Sequence, residues 1–313
     1  MKRPFARPGL SPYDAYRQPS APPRSGAARV TWLGVSTLLV DDGATALMID
    51  GFFTRPGLLR VLTAKIAPRT RTVAECLRRA GVSRLAAVIC AHSHYDHALD
   101  APAVCAQTGA LLVGSASTAN IGRGQGLPED RILVPETNSP LAFGTFTATL
   151  IESVHSHGDR FPGRVDAPLV PPARPSSWAT GSCYSILVET GGGAHSLLIH
   201  ASANYVPGAL RGQHADVVYL GVGELGKATA AFRDAYWNEV VVTTGARRVV
   251  PVHWDDFFRS LDRPVRPLRY FADDFGATMR FLLDRAAADG VEVAIPVPWR
   301  PADPFAGFCE GSP

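Results

Sequence analysis

The sequence predicts an α/β protein, a four-layer αββα sandwich in which two mixed β-sheets pack face to face with helices outside. Two observations carry this reading. Two blocks of the chain each open with strand-like hairpins and continue into alternating strands and helices. No linker separates them, so they read as halves of one domain, and 46% apolar residues in a chain of 313 suffice for a sizeable core.

The first block starts at Arg29. RVTWLGVSTLLVDD, a turn at Gly43 and TALMID read as a hairpin of buried strands. TVAECLRRAG has helical spacing and a glycine stop, and LAAVICAH is a buried strand by its continuous apolar run. ALDAPAVCAQTG, ALLVGS and STANIGRG follow as helix, strand and helix, and RILVPE and FGTFTATLIESV continue the strands. Residues 156 to 181, with five prolines and no usable period, form a loop long enough to be a candidate lid. The second block runs through YSILVET and HSLLIHA as a hairpin around Gly191 to Gly193, then ADVVYLGVG, a helix through TAAFRDAYWNEVVVTTG, RRVVPVH, a long helix through DDFGATMRFLLDRAAADG, and EVAIPVP.

Residues 1 to 28 hold six prolines and five Lys or Arg but no apolar run. They read as a flexible basic arm preceding a single domain over 29 to 313, as neither a signal peptide nor a membrane span, and a cytoplasmic location is expected. A net charge of +3 with scattered basic residues lacks the concentrated stripe of a nucleic-acid binder, so a small-molecule substrate is the expected partner. Cys76, Cys90, Cys105, Cys183 and Cys309 form no CxxC pair and are expected to be reduced and mostly buried.

The chemistry concentrates in AVICAHSHYDHALD, where three of nine histidines fall within six residues after a buried run. Residues two apart on an extended strand point the same way. His92 and His94 can therefore converge on one point, and Asp96 and His97, where the chain turns into a helix, on a second. Imidazole and carboxylate are donors suited to zinc, iron and manganese, and the lack of a CxxC pair beside them argues against a structural zinc knot. Solvated loop histidines are the plain alternative, and the density of three after a buried strand opposes it.

HSHYDH resembles the HxHxDH signature of the metallo-β-lactamase fold superfamily, and the resemblance extends in element order over residues 29 to 300. Within it the chain is similar to the branch containing the L-ascorbate-6-phosphate lactonase and phospholipase-D-like phosphodiesterases. The resemblance implies a binuclear metal site of one or two ions, zinc first, with manganese or iron as alternatives. It implies His155, with His157 as the competing residue, as third ligand of the first metal. It implies His253 as last ligand of the second, and Asp50 as a carboxylate that accepts a hydrogen bond from a ligand histidine. Two departures stand out. LLIHASAN occupies the place of the family's bridging aspartate, leaving His200, Ser202 or water to fill it, and Val35 stands where lactonase relatives often carry histidine.

The implied reaction is hydrolysis of an ester or lactone, since a bound divalent ion lowers the pKa of water toward about 7 and polarises the substrate oxygen. A lipid-like or nucleotide-like phosphodiester is the alternative substrate, and a non-catalytic metal-binding protein the third option. Asp96 is the candidate to orient the nucleophile and shuttle its proton. Phe161, Arg164, Arg174 and Trp178 are candidate lid contacts. Signals for phosphate are weak: Arg123 in NIGRGQG matches no phosphate-loop spacing, and Lys227 and Arg233 fit a solvated helix face. In HWDD, Trp254, Asp255 and Asp256 could shape the pocket floor or cap a helix. A redox di-iron enzyme is disfavoured by the missing bridge, and antibiotic turnover is not expected.

Overall fold

The computed structural model describes residues 3–20 and 26–308. Strands β1 (Arg29–Trp32), β2 (Leu38–Asp41), β3 (Ala46–Ile49), β4 (Ala87–Ile89), β5 (Leu111–Val113) and β6 (Ile132–Leu133) pair in sequence order. The second sheet orders β7 (Pro140–Phe143), β8 (Phe146–Ser153), β9 (Cys183–Thr190), β10 (His195–His200), β11 (Val217–Gly221), β12 (Arg248–Val252) and β13 (Glu292–Val293) the same way. The short β14 (Pro301–Ala302) returns to pair antiparallel with β1, so each sheet has seven strands. Both sheets are mixed: β3 to β6 and β10 to β13 run parallel, and the remaining pairs are antiparallel.

Why two sheets stack is visible in the side-chain alternation. Leu47, Ile49, Ala87 and Ile89 point into one apolar cluster with Leu150, Ile186, Val188, Leu198 and Val218 of the second sheet. Met48 and Val88, one residue out of phase, point into a second cluster with Val73, Leu77, Leu99 and Val104. A strand buried on both faces must be apolar at every position, which explains the unbroken ALMI, AVI and LLV runs.

The helices are α1 (Leu58–Thr63), α2 (Thr70–Arg79), α3 (Tyr95–Ala98), α4 (Ala101–Thr108), α5 (Ala116–Gly124), α6 (Ala230–Trp237) and α7 (Phe275–Asp289). Val73, Cys76 and Leu77 give α2 its buried stripe at i, i+3, i+4. Asp274 caps α7 by accepting from the Ala277 amide, and Gly290, at φ 68°, ends it in the left-handed region. The helix expected over 229 to 245 ends at Trp237 and continues as a π-helical turn, Asn238–Val242. Among the described residues no helix is long and apolar enough to cross a membrane.

The N-terminal segment over residues 3–20 is docked rather than free: the Gln18 amide donates to the Ile295 carbonyl at 2.9 Å, the Ile295 amide to Tyr16 at 2.7 Å, and Arg7 pairs with Asp256. Residues 156 to 181, the candidate lid, form a strap that is pinned to the domain and reaches His94 through Phe161, Asp159 and Thr180. Val165 donates to Ser117 Oγ, Leu169 to the Asn120 carbonyl, and Ile66 and Ala173 exchange backbone bonds, because Val165 and Trp178 bury against the second cluster. Trp178 is a core residue, and Arg164 and Arg174 are exposed. Cys76, Cys90, Cys105 and Cys183 are free and buried, and Cys309 lies outside the described residues.

Candidate metal centre

All six candidate ligands stand at the ends of strands, on the same rim of the sandwich. His92 lies in the turn after β4, His94 immediately precedes α3, and Asp96 and His97 belong to its single turn. His155 follows β8 and His253 follows β12, so both sheets contribute. His92, His94 and His155 form one group and Asp96, His97 and His253 another, with ligand atoms in each group within 4.8 Å of one another. The groups adjoin, the rings of His92 and His97 being 3.8 Å apart.

Hydrogen bonds fix which nitrogen each ring presents. Asp50 is fully buried. Its Oδ2 lies 2.8 Å from His97 Nδ1 and accepts from Ser36 Oγ, and its Oδ1 accepts from the Ala91 amide. The proton therefore sits on His97 Nδ1, and Nε2 is left facing Asp96 Oδ2 at 3.7 Å. His155 Nδ1 donates to the Ser156 carbonyl at 3.0 Å, which frees Nε2 in the same manner. His94 Nε2 is occupied by Thr180 Oγ1 at 3.0 Å and Asp159 at 3.2 Å.

The donor set suits a divalent transition metal. A direct mark of that fit is the set of buried ring nitrogens with no hydrogen-bond partner: both of His92, Nε2 of His97 and Nδ1 of His253. Buried polar atoms are normally paired, and four bare ones on three adjoining rings call for a ligand. Electrostatics agree. Burial, then the neighbouring imidazoles, push His92 well below its usual range, and burial takes His155 down to about 4, so both rings are neutral with free lone pairs. Burial alone would raise the Asp96 carboxyl, but His97 and His253 hold it well below the usual carboxylate range. Burial works against a charged His97, and Asp50 and Asp96 overcome it and raise its pKa.

Between the two competing histidines after β8, the structure brings His155 to the group. His157 is exposed and packs its ring edge-on against Phe232 at 4.7 Å. His200 belongs to neither group. It is buried, with Nδ1 bonded to Ser185 Oγ at 2.7 Å and Nε2 to the Asn204 carbonyl at 2.6 Å, which uses both nitrogens. Among the described residues no carboxylate belongs to both groups.

The phosphate candidates are engaged elsewhere. Arg123 pairs with Glu129 at the surface, Lys227 donates to the Phe271 carbonyl, and Arg233 lies 5.5 Å over the Phe281 ring. In HWDD, Trp254 is buried against Trp32 and Phe275, Asp255 pairs with Arg55, and Asp256 holds Arg7. Sequence reasoning missed Ser36, Asp159, Thr180 and Phe257. The contacts of Ser36 with His97 and of Asp159 and Thr180 with His94 join segments far apart in the chain that no local spacing announces, whereas Phe257 stands four residues after His253.

Two half-buried phenyl rings flank the site edge-on, Phe161 at 6.1 Å from His94 and Phe257 at 5.8 Å from His253. A groove of about 400 Å³ opens beside His155, lined by Glu152, Asp159, Thr180, Ser182 and Tyr184.

Residues 30–172 match the family model described as Metallo-beta-lactamase superfamily. A metal-dependent hydrolase of Rhizobium leguminosarum is 27% identical over 128 residues, 41% of this chain and 48% of that protein, so the match spans about half the relative's length. Among solved structures, Igni18, a metallo hydrolase of Ignicoccus hospitalis, superposes with a TM-score of 0.52 at 14% identity, covering 88% of this chain and 97% of the other. CmlA, a diiron β-hydroxylase of Streptomyces venezuelae, superposes with a TM-score of 0.53 at 14% identity, covering 90% of this chain and 55% of that one. At such identities the structural likeness speaks to the fold.

Proposed function

We propose that this chain, whose residues 30–172 match the metallo-beta-lactamase superfamily, is a metal-dependent hydrolase of neutral carboxylic esters or lactones. In this reading His92, His94 and His155 hold one ion, and Asp96, His97 and His253 a second. The supporting observation is the pair of adjoining groups in which four buried ring nitrogens, on His92, His97 and His253, lack protein partners. A divalent metal bound there would supply acidified water and a Lewis acid for the substrate oxygen.

The remaining work falls to the chain's own residues. Asp50 keeps the proton on His97 Nδ1, so that Nε2 stays a donor atom. Thr180 and Asp159 hold His94 by Nε2. Asp96 is ionised at neutral pH, and a carboxylate held that low orients water by accepting its hydrogen bond and passes a proton on to the leaving alkoxide rather than keeping it. Phe161 and Phe257 shield the centre and offer apolar walls to an acyl group.

An ester or lactone is favoured over a phosphodiester by the charge of the surroundings. Among the described residues, the side chains that bond to or stack on the six residues from outside are Ser36, Asp50, Asp159, Phe161, Thr180, Asn204 and Phe257, with Glu152 in the groove. None is a cation, and phosphate recognition relies on guanidinium or amide clusters. The test is turnover of aryl esters and lactones against bis(4-nitrophenyl) phosphate, with metal content measured on the same samples. Faster phosphodiester hydrolysis would overturn the substrate class, and full ester turnover by protein stripped of metal would overturn the mechanism.

A further inference from the structure

Four non-glycine residues around the centre hold backbone conformations that side chains rarely adopt: Val35 at φ 51°, Asp50 at 58°, Arg55 at 41° and His253 at 60°. Each such conformation persists only where its surroundings over-determine it. A β-branched valine there is the most strained case. These residues come from three segments, the turn at Val35, the loop holding Asp50 and Arg55, and the end of β12, and a buried set of hydrogen bonds ties the segments together.

Asp255 sits at its hub. Its Oδ1 accepts from the Val35 amide at 2.8 Å, and its Oδ2 accepts from Arg55 Nη2 at 2.7 Å, with both side chains at most 1% exposed. The Val35 carbonyl in turn accepts from the His253 amide at 2.8 Å and from Trp32 Nε1 at 2.9 Å. The next residue, Ser36, places its hydroxyl on Asp50 and 3.1 Å from His97 Nδ1. Gly34 completes the turn, since a Cβ there would stand 2.0 Å from Arg55 Nη2. One turn thus contacts the backbone of His253 and the ring of His97. Among the described residues it makes no hydrogen bond to His92, His94 or His155, which are framed instead by Ser93, Asp159, Thr180 and Asn204.

We propose that the Arg55–Asp255 ion pair is a positioning unit for one half of the centre: it fixes the Gly34–Val35–Ser36 turn, and through it sets the donor geometry of Asp96, His97 and His253 alone. The inference rests on the two-ion reading above. Asp255 lies 200 residues from Arg55, so the pair also locks the first sheet's loops to the end of β12.

The test separates the two groups. Zinc and cobalt affinities are measured on metal-free protein in two backgrounds, His155→Ala, where only the second group is complete, and His253→Ala, where only the first is. Adding Asp255→Asn should weaken binding by about 10-fold to 100-fold in the first background and leave it unchanged in the second. Since a lone buried Arg55 charge opposes folding, Arg55→Met/Asp255→Asn, which removes both charges, is run in parallel with circular dichroism. Equal losses in both backgrounds would reduce the pair to a general structural role, and no loss in a folded variant would overturn it outright. If neither background binds an ion before Asp255 is touched, the two-ion reading itself fails, and this inference with it.

Discussion

The two halves of the centre are built differently. The first is three imidazoles, and its frame is made by chain that crosses the surface: Ser93 bonds to the carbonyls of Ala179 and Thr180, and Asp159, 23% exposed, reaches His94. The second contains a carboxylate and is framed by fully buried groups, Asp50 behind His97 and the Arg55–Asp255 pair behind the turn at Val35. A frame that is partly wet tolerates adjustment, because water can replace a lost partner. A buried charged frame cannot relax that way, so removing one member leaves a polar group unsatisfied. The second half should therefore be the more sensitive to changes made outside the ligands.

The largest effects expected are at the ligands themselves. His92→Ala should release the ion of the first group and His253→Ala that of the second, with ester turnover falling by at least about 100-fold in each. Retention of both ions, read by inductively coupled plasma mass spectrometry, would dissolve the division into halves. Asp96→Asn should lower turnover by about 10²-fold to 10⁴-fold while the first ion stays bound. Loss of metal from both halves together would instead make Asp96 a shared structural element.

The comparison sharpens at the supporting residues. Asp50→Asn should cost the second half about 10-fold to 100-fold in metal affinity, because the amide can present a donor to His97 Nδ1 and upset its tautomer. Thr180→Val, which touches the wetter frame of His94, should cost the first half less, and competition with a chelator measures both. If the order is reversed, burial of the frame is not what sets sensitivity.

A smaller effect concerns pH. His200 is held down to about 4 by burial, against an ordinary value of 6.5. Its folded-state pKa lies below its unfolded one, so the neutral ring's contribution is complete above pH 6.5 and is lost as pH falls toward 4. The pKa difference corresponds to about 3 kcal/mol. His200→Leu should be less stable at pH 7, and its deficit in chemical denaturation should shrink across that window. A constant deficit would place the cost in lost packing and hydrogen bonds rather than in titration.

Much of this molecule was legible in the chain. Unbroken apolar strands and amphipathic helices follow from local periodicity, and so does the order of the two sheets' elements. HSHYDH places four ionisable groups at the end of a buried strand, where local geometry alone brings them close. His155 and His253 follow strands in the same way, and the resemblance pointed to both. How the strap over 156 to 181 is anchored was not legible, because composition records its prolines and not the grooves into which Val165 and Trp178 fit.

The sequence by itself determined the strand ends, the kinds of donor gathered there and hence the class of metal they suit, because these depend on neighbours a few residues apart. Only the tertiary structure decided that His157 turns toward Phe232 and that His200 spends both nitrogens on Ser185 and Asn204. It alone joined Arg55 to Asp255 across 200 residues. The physical reason is that a hydrogen bond or ion pair is chosen by distance in space, and for distant segments that distance is set by how two twisted sheets pack, which no spacing along the chain encodes.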